Sequence, residues 1–383
     1  MYSIRVFRDI AAFNELAREW DGLLARCRRQ PLFLTFDWLS VWLGVYLNRQ
    51  PLLLLAVYRE DKLVGLGPFY VQTRRHYGMV PLRELRILGS GEACPDHLDL
   101  LLDEGHAFEA AAAIWRYLWG PLTREWDVIR LDAMDAGSTA LAIFRKQAGE
   151  EPRCAVAEIA DITSCPYILL PNDAQTFMAS LGSKTRYNVG KSRRMLEAKG
   201  NLHFEQCTRT DDLPRFMGTL VDLHQRAWQA RGLPGSFASP SFRRFHELIS
   251  ERYFPKGQVG LFVLYLDETP LAATYGFDHR GVHYGYVMGM STTVDPKVSM
   301  GHVVMAYMVE ALTARGCREF DMLRGDEPYK YHWTSEERRD VTLQFFRSSN
   351  RSLFYLAVRS ARKFARAVVK KMQSRPVDRT PTK

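Results

Sequence analysis

Cysteine is scarce in this chain and never grouped. Six occur in 383 residues (Cys27, Cys94, Cys154, Cys165, Cys207, Cys317) without a CxxC pair. That spacing excludes a zinc knuckle and a disulfide framework, and leaves buried reduced thiols as the expected state. Long apolar runs are missing too: the stretch 52–58 is far short of the roughly 20 residues that span a bilayer. Residues 1–10 lack the basic-then-apolar order of a secretory signal, so a cytoplasmic location is expected. HExxH, Gly-x-Ser-x-Gly and GxxxxGK[ST] are also absent. The absence of the last two removes two common hydrolase classes, and without HExxH or a Cys/His cluster no metal is expected.

What is present is an ordinary globular composition, 46% hydrophobic and 25% charged, which excludes disorder and collagen-like repeats. The length exceeds what one core usually serves, so two domains are expected. The chain has 52 basic and 43 acidic residues, but residues 351–383 alone hold ten of the former and one of the latter, Asp378. The first 350 residues are therefore neutral, and the excess gives no argument for a nucleic-acid partner. Within the tail, Leu353, Ala357, Ala361, Phe364, Val368 and Met372 fall on one helical stripe. Arg359, Arg362, Lys363, Arg366 and Lys370 fall opposite. Two readings fit: an interfacial helix drawn to anionic lipid on the inner face of the cytoplasmic membrane, or a helix packed on the body with a solvated basic face.

The spacing predicts a strand over 2–7, a helix over 10–26 capped by Asp9, a helix over 36–47, a hairpin over 52–72, a helix over 104–119 and a strand over 126–132. The second half repeats part of this plan. Tyr58 in the first hairpin corresponds to Tyr265 in a second, an offset of 207, and Trp126-Asp127-Val128-Ile129-Arg130 corresponds to Phe320-Asp321-Met322-Leu323-Arg324, an offset of 194. Two matches in the same order point to duplication, with chance likeness of apolar strands as the alternative.

Three segments of the second half concentrate chemistry. A strand over 281–290 leads into a loop with Ser299, Gly301 and His302 and then an apolar helix. That order suits an anion at a helix N-terminus, and an N-cap by Ser299 explains the same letters. The strand near Phe320 runs into Arg324, Asp326, Glu327, Tyr329, Lys330 and His332, a density that suits a binding or catalytic loop or a turn rimmed with ion pairs. His224 and Trp228 share one face of a long helix, where packing is the common role. Between the halves, a basic helix over 183–199 carries Arg186, Gly190 and Arg193 on one face.

The ordered series Lys184-Thr185-Arg186-Tyr187-Asn188, Arg193-Arg194, Leu223-His224, Trp228, Leu271-Ala272-Ala273, Ser299-Met300-Gly301-His302 and Asp321-Met322-Leu323-Arg324-Gly325-Asp326-Glu327-Pro328-Tyr329-Lys330 resembles the CelD-like acetyltransferases of the GNAT superfamily. These are relatives of the FemABX peptidyltransferases. The resemblance covers about 165–346 and implies an α/β (α+β) fold of tandem GNAT-like domains, each a mixed, mostly antiparallel sheet flanked by helices. It implies a degenerate domain over 1–160, an acyltransferase domain over 161–350 and a basic helix and tail over 351–383. Acyl-CoA, in the first instance acetyl-CoA, is the implied donor. The strand end at Met290 would offer N–H groups to the thioester, and Ser299, Gly301 and His302 would hold the pyrophosphate. Asp326 or Glu327 would act as base and Tyr329 as acid. Arg186, Arg193, His224, Trp228, Arg324 and Lys330 would bind substrate, and Arg324 has a structural alternative in Asp321 or Asp326. The implied acceptor is an amine or hydroxyl of a sugar or of a cell-envelope or exopolysaccharide precursor. Of the ordinary GNAT phosphate loop only Gly301 is kept. FemABX-type relatives use aminoacyl-tRNA, whose phosphates the basic helix would meet. A catalytically silent accessory protein of a polysaccharide-synthesis complex is the non-enzymatic alternative.

Overall fold

Alternating and continuous apolar runs set the strands, and short polar turns separate them. The computed structural model of the protein describes residues 1–78 and 80–373. The first 150 residues supply β1 (Tyr2–Phe7), β2 (Leu52–Arg59), β3 (Lys62–His76), β4 (Val80–Ile87), β5 (Leu101–Leu102) and β6 (Val128–Asp135). With them come helices α1 (Ile10–Glu15), α2 (Ala17–Leu24), α3 (Phe36–Tyr46), α4 (Ala107–Trp119) and α5 (Thr139–Glu150). A long strand, β7 (Cys154–Leu169), leads into α6 (Ala174–Ser180), α7 (Ser183–Glu197), β8 (Leu202–Gln206), α8 (Leu213–Gln229) and α9 (Pro240–Tyr253). The remainder is β9 (Val259–Leu266), β10 (Thr269–His279), β11 (Val282–Met290), α10 (Met300–Ala314), β12 (Glu319–Asp321), β13 (Glu337–Arg347) and α11 (Asn350–Gln373). The helix expected over 10–26 is two helices, α1 and α2. Asp9 caps the first, its carboxylate accepting from the Ala12 N–H.

The strands form one sheet in the order β1-β2-β3-β4-β6-β13-β7-β12-β11-β10-β9-β8, with β5 hanging on β3. Read outward from its middle, the sheet repeats itself. Strands β13, β6, β4, β3, β2 and β1 run one way, and β7, β12, β11, β10, β9 and β8 the other. In each arm one neighbouring pair is parallel, β4 with β6 and β11 with β12. The two hairpin turns even share a backbone: Glu60 and Asp267, 207 positions apart, both take the left-handed conformation (φ 56° and 51°). The fold is thus mixed α/β, with a large and mostly antiparallel sheet flanked by helices.

The two arms do not follow chain order. Strand β13 lies antiparallel to β6 over 340–346 and to β7 over 337–347. It completes the arm built by the N-terminal half, while β7 pairs with β12 and completes the other. The pairing therefore crosses a division of the chain at 160. In the second arm, α8 and α9 cover one face, with a core continuous with that of the N-terminal half. Helices α7 and α10 cover the other, around Val189, Leu196, Val303, Val304 and Met308.

Candidate functional site

The site begins where β11 and β12 part. They pair in parallel for three residues only, 282–284 with 319–321, although β11 continues to Met290. From Gly285 onward the β12-facing edge of β11 has no ladder partner among the described residues. A bulge falls at the same place: Gly276 faces Gly285 and Tyr275 faces Val287, so Tyr286 is the extra residue. A bulge re-aims side chains and breaks the ladder locally. Here it sends Tyr286 among Phe33, Trp38, Phe242 and His246, and its hydroxyl donates to the Ala93 carbonyl of the first half. Gly289 matters for close approach, since a Cβ there would come within 2.6 Å of the His224 backbone nitrogen. Glycine lets α8 lie directly on the strand end.

Past Met290 the chain loops into α10, whose unpaired N-terminal N–H groups and dipole favour an anion. The loop is pinned by the Ser299 N–H, which donates to the buried Ser192 hydroxyl on α7 at 2.9 Å. A side chain added at Gly301 would meet open space. In the first turn of α10, His302 stacks on His332 (centroids 5.3 Å apart) and lies 6.2 Å from Trp333. Burial, and then His332, lower its pKa. This contact brings the α10 N-terminus and the loop after β12 to one place.

That loop is held from inside by Lys330. Its buried ammonium donates to the carbonyls of Leu323, Arg324 and Gly325 at 3.1, 2.8 and 3.3 Å, and Glu327 lies 3.1 Å away. Leu323 and Gly325 both have positive φ (54° and 117°), so a cation gathering their carbonyls stabilises a backbone that leucine adopts reluctantly. Asp326 is exposed, as is Glu327. Tyr329 is partly exposed, and burial followed by Glu327 pushes its phenol up to about 12. Arg324 pairs with neither Asp321 nor Asp326. Its Nε donates to Asp96 Oδ1 at 2.6 Å, its backbone N–H to Asp96 Oδ2 at 2.8 Å, and its guanidinium also to the Pro95 carbonyl. Both cations of the motif thus have protein partners.

The other expected residues are dispersed. Arg186 donates to the carbonyls of Ala179 and Leu181 at the end of α6. Arg193 ties α7 to α10 through Glu310 (2.9 Å) and lies 4.1 Å over the Tyr307 ring. His224 and Trp228 lie across the sheet from α10, with the His224 ring against Trp228 and Phe237. Burial lowers the His224 pKa.

A buried ion network that sequence reasoning missed lies beside this loop. His97 is 5% exposed. Its Nδ1 faces Asp340 at 3.0 Å, its Nε2 faces Asp321 at 3.1 Å, and its backbone N–H donates to Asp340 at 2.6 Å. Arg338 joins Asp321 (3.0 Å) to Glu319. Burial lowers the His97 pKa, but the two carboxylates outweigh it and leave the pKa well above the ordinary histidine value. Donor atoms of His97, Cys165 and Asp340 lie within 4.8 Å of one another, yet both imidazole nitrogens already face carboxylates. With Asp321, Asp340 and Arg338 around His97, the cluster as it stands is an ion network. A signal existed: Gly89-Ser90-Gly91 followed by Cys94-Pro95-Asp96-His97 places chemistry in a glycine-rich loop.

The corresponding fork of the first half is closed. Strands β4 and β6 pair over 84–86 and 128–130, and the chain then fills the gap itself. Leu98 bridges Met134 in parallel, and β5 pairs with β3 at 65–66. A cavity of about 230 Å³ remains beside it, near Cys27, Arg29, Asp99 and Ser138. A second, of about 250 Å³, lies between Asp37, Tyr253, Lys256 and Arg280. Neither includes a residue of the β12 loop.

Residues 183–331 match the family model described as an acetyltransferase (GNAT) domain. No curated protein matches the chain. Among solved structures, one described as FemX overlays with a TM-score of 0.59 at 12% identity, covering 92% of this chain and 99% of its own. L-PGS from Bacillus licheniformis overlays at 0.50 with 13% identity, covering 91% and 96%. The C-terminal domain of a putative lysylphosphatidylglycerol synthetase from Agrobacterium fabrum also overlays at 0.50, with 11% identity, covering 90% and 95%. At such identities these overlays concern the fold, and they extend over both arms of the sheet. Residues 183–331 thus match a GNAT domain, and the chain as a whole has the fold of the structure described as FemX.

Proposed function

We propose that this protein is an acyltransferase that moves an acyl group from acyl-CoA, in the first instance acetyl-CoA, to an amine or hydroxyl of a sugar or cell-envelope precursor. The observation that carries this reading is the open fork: a bulged β11 edge without a ladder partner, beside a helix N-terminus with open space at Gly301. The free N–H groups of β11 would hold the thioester oxygen as negative charge develops on it. The N-terminus of α10 would take the pyrophosphate. The acceptor attacks the carbonyl carbon, the C–N or C–O bond forms and the C–S bond breaks. Asp326, exposed and without an ion-pair partner among the described residues, takes the acceptor's proton directly or through water, and Glu327 is held nearer Lys330. Tyr329 keeps its proton at neutral pH and donates a hydrogen bond to the departing sulfur.

A second reading, an aminoacyl-tRNA donor, is favoured by the exposed face of α7. There Tyr187 is 61% exposed with Lys191 over its ring, and Lys184 and Arg194 are exposed nearby. Calorimetric titration with acetyl-CoA and longer acyl-CoAs separates the two. Micromolar binding that Gly301→Asp abolishes is expected. No binding across the panel would remove acyl-CoA as donor and direct the search to tRNA, while binding without turnover on any acceptor would favour a silent accessory role. Among Asp326→Asn, Glu327→Gln and Tyr329→Phe, at least one should lose about tenfold or more in turnover. Wild-type rates in all three would dismiss the assigned loop.

A further inference from the structure

The helix α11 is 24 residues long, about 36 Å at 1.5 Å per residue, and it docks by a different face from the one its apolar stripe marks. Ser352 is fully buried and its hydroxyl donates to the Asp127 carbonyl at 2.9 Å. Tyr355 sits among Val80, Leu82, Val128 and Phe346 and stacks on Phe346 and Tyr77. Arg359 pairs with Glu158, and Arg362 lies 4.7 Å over the Tyr77 ring. Positions 352, 355, 359 and 362 follow the spacing of a single helical face.

The opposite face is apolar and open. Leu353 is 48% exposed, Phe354 54% and Phe364 73%, with Ala357 and Ala361 exposed between them. Residues 360–367 are all exposed, so the helix runs on after its last docking contact. The side chains of Val368, Lys370 and Met372 and the whole of 374–383 lie outside the described residues.

We infer that this outward face of α11 lies on an anionic phospholipid surface. The body of the protein sits on the basic side of the helix and the apolar stripe points away from it. A helix held between a protein and a membrane plane has that arrangement. Charge selects the occupant. Residues 351–383 carry ten cations against one anion, which attracts an anionic leaflet and repels a second copy bringing the same tail.

The test is co-sedimentation of the full chain with vesicles of phosphatidylcholine alone and of phosphatidylcholine with phosphatidylglycerol. Binding to the anionic vesicles should be stronger by about tenfold or more and should weaken with salt. The double variants Leu353→Glu/Phe364→Glu and Lys363→Glu/Arg366→Glu alter exposed side chains, so their thermal unfolding should match the wild type while vesicle binding is lost. Equal binding to both vesicle types, or binding retained in both variants, overturns the inference. So does a dimer in light scattering that Phe364→Glu dissolves without any vesicle binding.

Discussion

The two arms of the sheet part their one parallel strand pair in the same way and treat the gap differently. Between β4 and β6 the chain inserts Leu98 and β5, both hydrogen-bonded to neighbouring strands. Between β11 and β12 no strand is inserted among the described residues, and the gap is bordered instead by a bulged Tyr286, the α10 N-terminus and the Lys330-clamped loop. Duplication supplied two forks. Closing one turned it into a support: the segment that leads into Leu98 also carries Asp96 and His97 into the ion network that borders the open one. A filled fork and an open fork thus share one wall.

The comparison can be broken most severely at that wall. His97→Leu should destabilise the fold by about 3–5 kcal/mol, because buried Asp340 loses its cation and Asp321 is left with Arg338 alone. Urea unfolding measures it. The sign with pH follows from a raised folded-state pKa: the His97 contribution is fully present below about pH 6.5, the unfolded value, and is lost as pH rises through the higher folded one. Stability of the wild type that falls on the alkaline side, with the fall absent in His97→Leu, is the expected pattern.

Leu98→Ala hollows the closed fork and should cost about 2–5 kcal/mol by the cavity it leaves. Acyl-CoA affinity by calorimetry should stay within about twofold, since the fork it opens is not the donor site. A large loss of affinity would mean that the first arm binds donor too. Lys330→Met should leave the global fold in place but release the carbonyls at 323–325, lowering turnover by about tenfold to a hundredfold at the 1.5–3 kcal/mol of a charge-assisted hydrogen bond. A variant with wild-type turnover would show that the clamp does not position the loop.

Much of the fold was legible because repeats leave paired signals. The Tyr58–Tyr265 offset predicts two hairpins, and both share a turn conformation as well as a strand order. The exchange of β7 and β13 was not legible, because each is an alternating run that suits either arm and only distant partners decide between them. Arg324 shows the same limit at the site. Its sequence neighbours Asp321 and Asp326 are plausible partners by proximity, yet Asp96, 228 residues away, takes it. The polar residues around 324–330 do lie together in one loop, but spacing could not tell that Lys330 serves the loop's own carbonyls. In α11 the periodicity defined two faces, and the choice of docking face rested on Tyr355 finding a slot against β4 and β13.

The strand exchange also dictates an order of events on the ribosome. The arm begun by the N-terminal half ends at β6, and its next strand, β13, is synthesised some two hundred residues later. Until residue 347 has emerged, the first arm has an open edge with unsatisfied backbone groups, the condition that invites mispairing and aggregation. Closure by so distant a strand raises the contact order and slows the final step. A nascent chain arrested before β13 should therefore be more protease-sensitive in residues 128–135 than the released protein, and a fragment ending at 160 would lack the strand that completes its arm.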